Sequence, residues 1–220
     1  MKSFKKAIAF LVLGAGLLAA GASGDSIPSI LGPRERCAVF DGWLEKRLDT
    51  VLPDVMRREK IDMWIVVSRE NNEDPVFLSL VPAGYLASWR MYILVFFDRG
   101  REGLERISIS RMGAGGLYKE AWEYGKTDQW ACLGRVVRDR NPRRIGINES
   151  DAFSDGDGLT ASLKRKVVDA VGPEHASRLC SAERLAVGWL ERRIPDEIEA
   201  YSHLASIAHA VLAEALSRKV

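Results

Sequence analysis

Few side chains of this 220-residue sequence stand at spacings that could do chemistry. His175, His203 and His209 include no pair four residues apart, so no helix face turns two imidazoles toward one metal ion as an H-E-x-x-H stretch does. Cys37, Cys132 and Cys180 are odd in number, far apart and without a C-x-x-C. One disulfide with a free thiol is open to them, and small buried hydrophobes are the plainer reading. Asp151, Asp155 and Asp157 bring hard oxygen donors to "SDGDG", yet Leu159 falls where a further calcium ligand should be and no glutamate closes the loop. That stretch reads as a polar turn. Gly113, Gly115 and Gly116 follow a strand pattern, but a dinucleotide-binding turn needs a glycine where Tyr118 stands, so a flexible loop is expected. No G-x-S-x-G is present, and no catalytic residue is assigned.

Two groups remain. Tyr118, Trp122, Tyr124 and Trp130 could line a groove for a peptide or fill a core, and the core is preferred. The polar run "SRENNEDP" leaves a hydrophobic strand at its carboxyl end, where α/β sheets present binding groups. Arg69, Asn71, Asn72 and Asp74 could meet a substrate or a partner domain there. As a solvated loop, its Asn and Asp would instead satisfy turn backbone.

The elements that would position these residues follow from periodicity. Phe40, Trp43, Leu44, Leu48, Val51, Leu52, Val55 and Met56 keep helical spacing through Pro53, predicting a long first helix kinked there. "IDMWIVV" (61–67) and "RMYILVFFDRG" are buried strands, with "LERISIS" as hairpin partner of the second. Thr127 is the expected cap of a helix running to about Arg140, "RRIGIN" a short strand, and Thr160 the cap of a helix stopping at Gly172-Pro173. Residues 182–191 give another helix. Pro195, followed by Asp196, Glu197 and Glu199, opens the last one, whose apolar stripe runs from Ile198 to Leu216 without a stop signal. This alternation predicts a mixed α/β sheet covered by helices.

Lys2, Lys5 and Lys6, the apolar stretch Ala7 to Ala20 and Ala20-Gly21-Ala22 read as a secretory signal over residues 1–22, followed by a linker over 23–35. Export would leave a periplasmic or secreted protein with no membrane anchor. Removing those residues takes three lysines and leaves 29 basic against 30 acidic side chains, a balance that gives no reason to expect nucleic acid as a partner. A composition of 47% hydrophobic and 28% charged residues is that of an ordinary globular protein.

The order of four stretches carries a resemblance: "LPDVMRREKIDMWIVVSRENNEDPVF", "ILVFFDRG", "RRIGIN" and "SAERLAVGWLERRIPDEIEAYSHLASIAHAV". Together they resemble the amino-terminal part of the creatinase, prolidase and Xaa-Pro aminopeptidase family of metallopeptidases, over roughly residues 36–220. The most specific match is the junction, where Arg193, Pro195, Glu197 and Ile198 resemble the family's entry into the first helix of its catalytic domain; Arg193 and Ile194 replace the usual Lys and Ser. The loop after the first strand matches the family's Asn-x-x-Tyr-Leu segment at Asn71 or Asn72 only, its Tyr-Leu half being replaced.

The resemblance implies a ribonuclease-H-like mixed sheet over residues 36–192 and, from 193 to 220, the first helix of a truncated "pita-bread" domain. It implies that two divalent metal ions (Mn, Zn or Co), held by two Asp, one His and two Glu beyond Val220, hydrolyse the bond before proline, so that this chain binds neither ion itself. It further implies Asn71 and Asn72 as substrate-binding candidates, the chain's own catalytic domain and a homodimeric copy as partners, and short proline-containing peptides as substrates. A stand-alone exported binding or oligomerisation module derived from that family is the alternative.

Overall fold

In the computed structural model, residues 28–217 are described; the expected signal segment lies outside them. Helix α1 (Pro33–Arg58) opens with Pro33 in its first turn, where a missing N–H costs nothing, and the Glu35 carboxylate accepts the Gly32 N–H at 2.8 Å. It therefore starts inside the stretch expected to be linker. The helix continues through Pro53 as one element, with Pro53 itself buried.

The sheet is built from β1 (Met63–Arg69), β2 (Met91–Asp98), β3 (Leu104–Ser110), β4 (Lys119–Glu120), β5 (Ile145–Ile147) and β6 (Leu179–Ser181), in the order β4-β3-β2-β1-β5-β6. β1, β2 and β3 form an antiparallel meander, while β5 runs parallel to β1, and β6 parallel to β5. The side-chain period of two divides β1 cleanly. Trp64 and Val66 join one core with Leu48, Leu52, Val55 and Trp189; Met63, Ile65 and Val67 join another with Leu133, Val137, Leu163 and Val167. Both faces are covered by helices, which is why β1 reads as an unbroken apolar run.

On the second face lie α2 (Gln129–Arg140) and α3 (Ala161–Ala176). The cap of α2 is Asp128, one residue beyond the expected Thr127: its Oδ1 accepts from the N–H groups of Trp130 and Ala131, each at 2.9 Å, doing with one carboxylate what a hydroxyl does for a single N–H. Asn141, at φ 44°, closes that helix just before Pro142. Thr160 caps α3 as expected, accepting the Leu163 N–H at 3.3 Å. At Gly172, φ 77°, the chain leaves helical geometry, then takes one further turn from Pro173. Gly134 lets the two helices touch, since a Cβ there would stand 2.2 Å from the Ala170 carbonyl.

The first face is completed by α4 (Glu183–Glu191), and α5 (Pro195–Ala215) follows after three residues. No residue of α5 is buried. Among the described residues no helix is long and apolar enough to cross a membrane.

Candidate functional site

The loop leaving β1 makes a tight turn in which the Asn72 N–H reaches the Arg69 carbonyl at 2.9 Å and Asn71 takes the left-handed conformation, φ 62°. Asparagine tolerates that region better than most side chains, which accounts for its presence. Asn71 and Asn72 are exposed at the tip with Arg69, whereas Asp74 is turned inward and only 2% exposed. The four residues are therefore not brought together.

Asp74 belongs to a buried polar chain. Asn148, just beyond β5, donates from Nδ2 to Asp74 Oδ2 at 2.8 Å and accepts at Oδ1 the indole N–H of Trp64 at 2.7 Å. The second Asp74 oxygen takes the Val76 N–H at 3.0 Å, and the Asp74 N–H goes to Ser68 Oγ at 3.1 Å. Burial pushes the Asp74 carboxyl up to about 6, against the pull of the hydrogen bonds from Asn148 and Val76. Buried and bonded in this way, the carboxyl ties β1, the residue after β5 and the loop together.

The remaining sequence candidates disperse. Gly113 and Gly115 both have positive φ, but the Ala114 N–H is held by Glu120 Oε1 at 3.0 Å and the next element is β4, so no helix amino terminus faces this loop. "SDGDG" forms a single tight turn, with Asp157 accepting the Ser150 N–H at 3.3 Å. His175 is buried against Asn141 Oδ1 at 3.2 Å, and all three cysteines are free thiols. Among the described residues no three His, Cys, Asp or Glu side chains form a group that could hold a metal ion. The aromatics divide: Tyr118 is in one core with its hydroxyl donating to the Leu80 carbonyl, Trp122 and Trp130 pack on the other, and exposed Tyr124 lies under the Arg111 guanidinium at 4.3 Å.

The most developed surface lies between α1 and α5, and the sequence candidates do not include it. Arg47, almost fully buried, sits 4.4 Å over the Trp189 ring. Its guanidinium donates to the carbonyls of Trp189 and Arg192 and reaches Glu197 Oε2 at 3.0 Å. Glu197 also accepts the Ile194 N–H at 2.8 Å, closing the first turn of α5. Lys46 pairs with Asp196 beside it. The signal was present: Arg47 occupies an inward position of the stripe between Leu44 and Val51, where a solvated arginine does not belong.

Alongside this clamp runs a groove of about 830 Å³. Val39, Phe40 and Trp43 form its α1 wall and Tyr201, Leu204 and Ile207 its α5 wall, and Ile30 and Leu31 line it as well. Such an apolar concavity with a few polar groups at its rim suits a ligand or a polypeptide segment. Neither the protein-family models nor the curated proteins compared with this chain match it.

Proposed function

We propose that this chain is the amino-terminal, noncatalytic portion of an exported Xaa-Pro aminopeptidase-like metallopeptidase, whose hydrolytic centre is carried by a following domain. The observation that carries this reading is α5. Its entry is clamped to the domain by Arg47 and Glu197, while Ile198, Leu212 and Leu216, 57%, 57% and 83% exposed, leave an apolar flank uncovered. A helix fixed at one end and bare along one flank is suited to lie between two domains. The sheet also supports it: an antiparallel meander continued by two parallel strands is how a ribonuclease-H-like sheet is built.

The metal ions this reading implies find no suitable donor set among the described residues, so no step of hydrolysis is assigned to them. Their part is to hold the second domain and, through Asn71 and Asn72 at the exposed turn, to border its cleft. A homodimer and short proline-containing peptides belong to the same proposal, as does a periplasmic or secreted location.

The test is to read the locus past codon 220 and express the product to its natural stop beside the 220-residue chain. The longer product is expected to cleave an Xaa-Pro dipeptide in a manganese-stimulated reaction and the shorter chain to leave it intact. Cleavage by the shorter chain, or a frame that stops at Val220 or lacks the two Asp, one His and two Glu, overturns the reading. The groove between α1 and α5 favours the second reading, a stand-alone binding module, which that last outcome would select.

A further inference from the structure

The groove between α1 and α5 already holds a piece of polypeptide. Residues 28–31 have no regular structure, Ile30 and Leu31 stand in the groove's lining, and their hold is slight: the Ser29 carbonyl accepts one hydrogen bond, from His203 Nε2 at 2.9 Å. Ile30 and Leu31 reach into the lining but remain 57% and 45% exposed. On the walls, Phe40, Tyr201 and Leu204 are each about half exposed, so this strap covers only part of the apolar surface. Arg36, on the same rim, makes no ion pair among the described residues.

We propose that this groove is a peptide-binding seat that takes, from a partner polypeptide, a segment ending in two adjacent branched aliphatic residues and a carboxylate, and that residues 28–31 are its tethered, displaceable occupant. His203 reads a backbone carbonyl, the two apolar walls take the aliphatic pair, and Arg36 supplies the charge a carboxylate needs. Tethering gives the strap a high effective concentration, so the incoming segment must either bind better or arrive when the strap is released. The inference does not rest on the proposed enzyme: at 100° per residue, His203, Leu204 and Ile207 lie about 80° or more around α5 from Ile198, Leu212 and Leu216, while Tyr201 stands at the border between groove and flank.

The probe is a dye-labelled hexapeptide, Ser-Ile-Pro-Ser-Ile-Leu with a free carboxylate, titrated by fluorescence anisotropy into the 220-residue chain and into its I30S/L31S variant, which removes the aliphatic pair without adding charge beside Arg36. Removing the tethered competitor is expected to tighten binding at least about tenfold. Adding Leu204→Asp to that variant should abolish binding, and His203→Ala should weaken it by about threefold to tenfold. All four positions are exposed, and unchanged circular dichroism reports an intact fold. Should the double variant lose helicity, methyl chemical shifts of Leu204 and Ile207 in the unaltered chain read the same competition. Equal affinity for both chains, binding that survives L204D, or methyl shifts unmoved by the peptide overturns the proposal. So does a dimer of the unaltered chain that the peptide dissociates, because the seat would then belong to a second copy.

Discussion

Arg47 and Glu197 stand 150 residues apart in the chain and 3.0 Å apart in space. The pair is mostly shielded from solvent, and the same guanidinium serves the carbonyls at the end of α4 and just beyond it. It fixes the angle at which α5 follows α4.

Replacing Arg47 by alanine would remove the cation beside Glu197, leaving that carboxylate the Ile194 N–H, and would take a donor from the Trp189 carbonyl. Breaking a buried pair by removing one partner costs about 3 kcal/mol or more. Urea unfolding of R47A should register that loss, whereas K46A, whose partner Asp196 is exposed, should be indistinguishable from the unaltered chain.

Asp74 gives stability a pH dependence of unusual sign. Its carboxyl titrates near 6 in the folded protein against an ordinary 3.8, so between those values the unfolded chain gives up a proton that the fold retains. This group's contribution is therefore fully present below about pH 4 and falls as pH rises toward 6, by on the order of 3 kcal/mol, then stays level. Midpoints of denaturant unfolding between pH 4 and 7, compared with those of D74N, isolate it: the difference between the two proteins should change across that window and be flat above it.

Two glycines in helices should respond oppositely to alanine. At Gly134 the new Cβ meets the Ala170 carbonyl at 2.2 Å, forcing α2 and α3 apart, and G134A should lose about 1–3 kcal/mol. At Gly42, exposed in α1 with nothing within 4 Å of the built Cβ, alanine should add about 0.5–1 kcal/mol by helix propensity. Thermal or urea melts of the two variants decide both.

Burial pushes the Cys132 thiol up, with the nearby Arg135 pulling the other way, so little of it is thiolate near neutral pH. An aromatic disulfide reagent should label Cys37 and Cys180 well before Cys132, and denaturant should bring all three to one rate. Fast labelling of Cys132 in the folded protein would contradict its packing.

What the sequence disclosed, and what it hid, divides along physical lines. The strands with strong local patterns were legible: Met63–Arg69 and Met91–Asp98 are long β-branched and aromatic runs, and the start of α5 is written in Pro195 and its acidic neighbours. β4 and β6 were not: Lys119-Glu120 and Leu179-Cys180-Ser181 hold no β-branched residue and exist through pairing with β3 and β5, whereas the equally short β5 is marked by Ile145 and Ile147. The inward course of Asp74 was hidden for a similar reason. In a polar loop it resembles its solvated neighbours, and only Asn148, 74 residues on, explains its burial. The α1–α5 groove depends on residues from opposite ends of the chain, a nonlocal fact; its one local trace is the arginine at 47.

The sheet closes on each side with a strand of only two or three residues, β4 and β6. Short margins of this kind leave little unpaired backbone for another chain to zip onto, which discourages edge-to-edge stacking and fibre growth. Any association would then fall to side chains on helical faces such as Leu204 and Leu212, where a single exposed leucine can be exchanged without unravelling the sheet beneath it.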